Sequence, residues 1–144
     1  MNAELSVVRL VDIRETPLDV AEVLDVLGSP SVGGIDVFVG VVRDQDQGMG
    51  VTRLEYSAHP TALDRLREVA QAVAEKYDVI ALAAVHRIGR LDIGDAAVIV
   101  ATATAHRGQA FDASRALIDD LKATVPIWKH QLFVDGTDEW VGTP

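Results

Sequence analysis

Apolar residues occur along the chain in short runs and in helical stripes, separated by glycine, proline and polar residues. The runs are rich in valine, isoleucine, leucine and alanine and predict strands, several of them buried. Polar, glycine-containing segments at 44–50 and 89–95 predict connecting loops. The predicted strands cover residues 5–13, 33–43, 51–57, 79–88, 96–105 and 127–134.

Three further segments have the character of helices. The first begins at Thr16-Pro17, a cap and a first-turn proline, and ends near residue 28. The second opens at Pro60 and carries an apolar stripe at helical spacing. The third covers 109–125 and ends before Pro126, which cannot continue a helix. Because strands and helices mix without strict alternation, one α+β domain over 1–144 is predicted.

Composition places the chain among soluble globular proteins, with 49% hydrophobic and 24% charged residues. It has no run of eighteen apolar residues, so we expect no membrane association. The first ten residues lack the basic start and apolar block of a signal peptide, which makes the cytoplasm the expected location.

Charge and residue usage exclude several kinds of chemistry. With no cysteine, the chain forms no disulfide, thiolate nucleophile or thiolate metal site, so sulfur chemistry needs an outside donor. A net charge of −9 disfavours nucleic acid as a partner. The four histidines are far apart in sequence, and we predict no metal site and no cofactor.

Two of the three lysines, Lys122 and Lys129, flank Pro126, although the chain otherwise uses ten arginines for positive charge. Lys122 ends the third helix and Lys129 lies in the last strand. If both face one pocket, repulsion and desolvation favour a neutral amine that can act as base, acid or nucleophile. The alternative is that Lys122 complements the helix dipole and Lys129 faces solvent.

Other cations follow buried strands. His106 and Arg107 lie at a strand-to-helix junction, where free amides and the helix dipole attract anions. Arg43 follows a run of valines that delivers it to a strand end. The alternatives are that His106 and Arg107 only tie down a turn, and that Arg43 pairs with a neighbouring aspartate, 44 or 46.

Five separated motifs resemble one family, the large catalytic subunit of molybdopterin synthase. They are GIDVFVGVVR at 34–43, LEY at 54–56, HRIG at 86–89, AHR at 105–107 and LK with PIWK over 121–129. The resemblance implies a two-layer, hammerhead-like α+β domain with a mixed sheet and three main helices.

It also implies transfer of two sulfurs to cyclic pyranopterin monophosphate, which forms the dithiolene of molybdopterin. The donor would be a thiocarboxylate at the Gly-Gly end of a small ubiquitin-like subunit. A homodimer of this chain would form the core of a heterotetramer.

By position, Lys122 and Lys129 match the family's catalytic lysines. The residues expected around the substrate are Val41, Val42, Arg43, His106, Arg107, Lys122, Lys129, His130 and Gln131. The family commonly has a basic residue and then glutamate after the second lysine, where this chain has His130-Gln131. Loss of that carboxylate would alter substrate orientation or the charge of Lys129.

Two other functions fit the lysines less fully. One is a lyase that forms a Schiff base between a lysine and a phosphorylated carbonyl substrate, which borohydride would trap. The other is an acidic docking module without catalysis, which would not bind a pterin.

Overall fold

The computed structural model describes residues 6–142. Leu5, where the first predicted strand begins, lies outside this range. The helices are α1 (Val20–Asp25), α2 (Ala62–Lys76) and α3 (Arg107–Thr124). The strands are β1 (Val8–Arg14), β2 (Gly34–Val41), β3 (Gln45–Asp46), β4 (Met49–Ala58), β5 (Ala81–Arg87), β6 (Gly89–Asp92), β7 (Ala96–Thr104), β8 (Ile127–Phe133) and β9 (Asp138–Gly142).

The first sheet has the order β1-β5-β7-β2 and carries helices on both faces. β1 runs parallel to β5, and the other two pairs are antiparallel. Because side chains alternate along a strand, Leu82 and Ala84 of β5 join the core under α2 and α3. Their neighbours Ala83 and Val85 pack in the core that includes Val23 of α1.

The second sheet is antiparallel and has β4 at its centre. β4 pairs with β3, β6 and β8, and β8 also pairs with β9. A small core of Val42, Leu54, Leu91 and Ala97, with Tyr56 against it, joins this sheet to β7 of the first. The architecture confirms the predicted α+β class with three helices and mixed strand directions.

Two predicted loops are wrong in part, because β3 lies within 44–50 and β6 within 89–95. β3 is the short arm of a hairpin whose turn has positive φ at Gln47 (53°) and Gly48 (80°). Such short, polar strands are stabilised by pairing with β4 and show no side-chain period to detect. The terminal strand β9 was likewise not predicted.

The predicted cap of the first helix is also wrong. α1 begins at Val20, and Asp19 is its N-cap, accepting a hydrogen bond from the backbone N–H of Ala21 at 3.0 Å. Aspartate ranks above threonine as a cap, so the nearer Asp19 displaces Thr16. The other predicted bounds lie within three residues of those observed.

Gly40 marks an irregularity near the end of β2. The pairing of β2 with β7 shifts register between Gly40 and Val41. A Cβ added at Gly40 would lie 2.6 Å from a methyl carbon of Val98, so only glycine allows this close approach. The irregularity lies directly before Val42 and Arg43, which line the site described next.

Candidate active site

The end of α3 brings the two lysines together. The helix stops at Thr124, and Val125 is extended (φ −80°, ψ 123°) because Pro126 disfavours helical geometry before it. The chain then turns directly into β8, which carries Lys129. Lys122 and Lys129 consequently line the same two cavities, which is the arrangement that a shared pocket requires.

The larger cavity is a cleft of about 330 Å³ between the end of β2 and the second sheet. Its charged lining consists of three cations, Arg43, Lys122 and Lys129, and one carboxylate, Asp46. Val41, Val42 and Gln131, which the family resemblance implies lie near a substrate, also line it. An excess of positive charge in a concave site favours an anionic ligand.

Lys122 has a pKa below the usual value for a lysine. Its side chain keeps exposed surface, but protein atoms around the amine remove part of its hydration, and the positive charge of Lys129 adds to the effect. Both causes favour the neutral amine. The geometry therefore provides one lysine that can accept a proton near a second that supplies charge.

A smaller cavity of about 230 Å³ shares both lysines and Tyr56 with the cleft. Tyr56 and His86 line it together with apolar residues. Burial, with a smaller contribution from the positive charge of Lys122, lowers the pKa of His86 to about 4, so the imidazole is neutral at pH 7. Its ring meets that of Tyr56 edge-on, with centroids 4.9 Å apart, and its Nδ1 lies 2.7 Å from the carbonyl oxygen of Arg87. Burial raises the pKa of Tyr56.

Arg43 pairs with Asp46, one of the two partners considered from the sequence. Its Nη2 lies 3.6 Å from Oδ1 of Asp46, and its side chain is 76% exposed. The second oxygen of Asp46 accepts a hydrogen bond of 2.6 Å from the side-chain amide of Gln131, which is buried. Gln131 thus fixes a carboxylate that lies within ion-pair distance of Arg43.

His130 does not line the cleft with Lys129 and Gln131. Successive residues of a strand point to opposite faces, and His130 stacks on Trp140 of β9 with ring centroids 4.3 Å apart. Its Nε2 lies 2.7 Å from the carboxylate of Asp138. The structure therefore gives His130 contacts with β9 and separates it from the expected substrate residues.

His106 and Arg107 lie at the opposite end of α3 from Lys122. Fifteen positions of helix separate Arg107 from Lys122, a rise of about 22 Å along the axis. Both junction residues are exposed, and neither lines the cleft. Within one chain, the expected anion site is therefore divided into two parts.

Comparison with known proteins decides the family. The family model described as MoaE protein matches residues 13–124. The chain belongs to the MoaE family. One MoaE-family relative, molybdopterin synthase catalytic subunit 1 of Mycobacterium tuberculosis, is 44% identical over 131 residues, which cover 90% of this chain and 88% of the relative. The catalytic subunit of Bacillus subtilis is 36% identical over 132 residues, 91% of this chain and 83% of that one.

Two solved structures have the same fold as this chain. Molybdopterin synthase from Staphylococcus aureus superimposes with a TM-score of 0.86 at 33% identity, covering 92% of this chain and 97% of the other. A complex of subunits 1 and 2 of the molybdopterin-converting factor from Helicobacter pylori gives 0.67 at 22% identity, over 96% and 90%. At that identity the second likeness shows the fold alone.

Three residues around the lysines of this MoaE-family chain were missed from sequence. Asp46 was considered only as a partner of Arg43, and Tyr56 and His86 were given no role. A signal existed for the last two, because both lie within motifs that resemble the family. Within residues 6–142, no group of histidine, aspartate and glutamate side chains converges to hold a metal ion, and no helix is long and apolar enough to cross a membrane.

Proposed function

We propose that this chain is the catalytic subunit of a molybdopterin synthase and acts as a sulfurtransferase in the cytoplasm. It takes part in molybdenum cofactor biosynthesis as a member of the MoaE family. The observation that carries the finer proposal is that Lys122 and Lys129 both line a cationic cleft and a smaller second cavity. Because the chain has no cysteine, the sulfur comes from a partner.

The cationic cleft suits the anionic substrate, cyclic pyranopterin monophosphate. Arg43 and Lys129 would hold its phosphate or stabilise an oxyanion, because both carry positive charge in a partly enclosed site. Lys122 would take up or return a proton, since its lowered pKa makes the neutral amine more available. The cleft walls would restrict access of water to the reacting sulfur.

The smaller cavity suits the thiocarboxylate tail of a small sulfur-carrier subunit. Its walls include apolar side chains of Leu121, Val125 and Ile127, and it reaches both lysines. A tail ending in two glycines carries no side chains at its end, so it needs little room in a cavity of this size. The solved Helicobacter pylori neighbour, a complex of two subunits, is consistent with a partner of this kind.

A homodimer would reunite the divided anion site. β2 is an edge strand whose start lies beside Arg107, since a Cβ on Gly34 would be 3.3 Å from the Cα of Arg107, and its end leads to Arg43. If two copies packed along β2 around a two-fold axis, the start of β2 in one copy would lie beside the end of β2 in the other. Three apolar residues of this strand are exposed in the single chain: Ile35, Phe38 and Val41, with 47%, 40% and 51% of their surface accessible. Exposed apolar residues of this kind are expected where a second copy covers the strand.

The test is reconstitution from purified parts. We would mix the chain with cyclic pyranopterin monophosphate and with a small subunit ending either in a thiocarboxylate or in an ordinary carboxylate, and measure molybdopterin by mass spectrometry. Product should appear only with the thiocarboxylate. Absence of product despite binding of the thiocarboxylated subunit would contradict the proposal, and borohydride trapping of substrate on a lysine would favour the lyase.

A further inference from the structure

Asp46 occupies an unusual position for an acidic residue. Among the described residues that line the lysine cleft, it is the one carboxylate beside three cations. A negative charge there repels an anionic substrate, so Asp46 weakens substrate binding by its charge alone. A role in positioning a neighbouring residue would offset this cost. Its two oxygens have different partners, since Oδ1 faces Arg43 at 3.6 Å and Oδ2 accepts from Gln131 at 2.6 Å.

Gln131 ties this carboxylate to the lysine strand. Gln131 and Lys129 are two positions apart on β8, so their side chains lie on the same face of the sheet and both line the cleft. Gln131 is 3% exposed, and its amide is the donor to Asp46. A chain of contacts therefore runs from β8, through Gln131 and Asp46, to Arg43.

The hairpin formed by β3 and β4 places Asp46 at the cleft. β3 contains only Gln45 and Asp46, and it pairs with the first residues of β4 across a tight turn. Both strand residues line the cleft, whereas Asp44 just before them does not. The amide of Gln131 thus meets a carboxylate brought by a different element, 85 residues away in sequence.

We propose that Asp46 is a positioning residue that supplies the carboxylate of the lysine cleft, and that Gln131 and Asp46 together replace a glutamate at position 131. The charge lies one hydrogen bond away from β8, on the hairpin, where it also orients Arg43. The carboxylate that the family commonly carries at position 131 is then supplied by Asp46, and Gln131 binds it. For catalysis this inference rests on the proposed function; for anion binding it does not.

If the hydrogen bond between Gln131 and Asp46 were only structural, a variant that keeps the bond but loses the charge would keep its activity. The side-chain amide introduced by Asp46→Asn has an oxygen that can still accept the hydrogen bond from Gln131, so this substitution removes the charge and keeps the bond. Gln131→Glu places two carboxylates in contact, where like charges repel. The double variant Asp46→Asn with Gln131→Glu restores one carboxylate and one amide, with their positions exchanged.

The experiment compares the wild type, both single variants and the double variant. Each is assayed for kcat and KM in molybdopterin formation and for binding of inorganic pyrophosphate to the chain alone. Asp44→Asn is the matched control, because it removes the same charge from the same hairpin outside the cleft, and its backbone oxygen still accepts from Val51.

We expect each single variant to lower kcat/KM roughly 10- to 100-fold through a misplaced Arg43, and the double variant to return within about threefold of wild type. Pyrophosphate should bind roughly three- to tenfold more tightly to Asp46→Asn, less tightly to Gln131→Glu, and as in wild type to the double variant. Asp44→Asn should match wild type in both.

Two results would overturn the inference: Asp46→Asn with wild-type kinetics and pyrophosphate affinity, or a double variant no better than the worse single variant. If the wild type forms no molybdopterin, the proposed function fails. The four pyrophosphate affinities then decide the role of Asp46 by themselves.

Discussion

Lys122 lies in the last turn of α3, where the helix dipole favours a positive charge. Loss of hydration and the charge of Lys129 oppose that charge and lower its pKa. The opposing effects leave a lysine whose proton is more easily removed than that of an exposed amine. This is the property a proton acceptor needs.

Replacement of Lys129 by methionine should therefore raise the pKa of Lys122. Less neutral amine would then be present at a given pH, so the pH midpoint for acylation of Lys122 should move upward. Mass spectrometry of the labelled peptide across a pH series measures this midpoint. Lys76→Met, at an exposed position of α2, is the control and should cause no change. An unmoved midpoint in Lys129→Met would contradict the coupling.

Residue types alone predicted part of the site. Lysine is rare in this chain, so a pair around a helix-ending proline was visible in sequence, and Arg43 followed a buried strand. Asp46 gave no such signal, because aspartate is common in hairpins and its contact with Gln131 spans 85 residues. His86 belongs to an apolar run and resembled any buried strand residue.

At the scale of elements, the junction of β7, α3 and β2 fixes the exposed pair His106 and Arg107. The backbone N–H of Gly33 donates to the carbonyl oxygen of Thr104 at 2.9 Å, and the hydroxyl of Thr104 donates to the carbonyl oxygen of His106 at 2.6 Å. A Cβ on Gly33 would lie 2.1 Å from the carbonyl oxygen of Ala105. The clashing atom belongs to the backbone, so it cannot move aside by a change of side-chain rotamer.

Gly33→Ala should consequently lower the free energy of unfolding by about 1–3 kcal/mol, as overpacking does elsewhere. Gly28→Ala is the matched control, because nothing lies within 4 Å of its added Cβ. Urea denaturation followed by circular dichroism compares the two. Equal stability of Gly33→Ala and wild type would show that the junction can open without strain.

Periodicity predicted the long elements because their burial repeats over many residues. The stripe of α2 and the apolar runs of β5 and β7 face the core continuously. β3, β6 and β9 have two to five residues each, and their pairing partners are not visible in the sequence. The predicted first helix starts too early, because Thr16 is also an acceptable cap although the nearer Asp19 is a better one.

At the scale of the whole molecule, α3 separates the two groups expected to bind one anion. The predicted helix of 109–125 already implied this separation, because a helix of that length holds its ends more than about 20 Å apart. The sequence could not show which surface brings them back together. The proposed second copy of the chain rests on the exposed apolar residues along the edge strand β2.

A mixing experiment tests that arrangement. Arg107→Ala and Lys122→Ala should each be nearly inactive alone, but dimers containing one of each would have one intact site if Arg107 acts on the partner's cleft. Equal mixtures with full exchange should recover about a quarter of wild-type molybdopterin formation. Mixing each variant only with itself is the control. No recovery, with hybrid dimers seen by native mass spectrometry, would place both residues in the same chain's site or outside it.

The proposed sulfur transfer takes place at Lys122 and Lys129. The most direct measurement is the rate of molybdopterin formation from the thiocarboxylated small subunit by Lys122→Ala, Lys129→Ala and Lys76→Ala. Lys76 is the remaining lysine and lies on α2, with its Nζ 5.4 Å from the ring centroid of Tyr77. We expect roughly 100-fold or greater loss in the first two variants and a wild-type rate in the third. Wild-type rates in both Lys122→Ala and Lys129→Ala would show that sulfur transfer does not depend on these lysines.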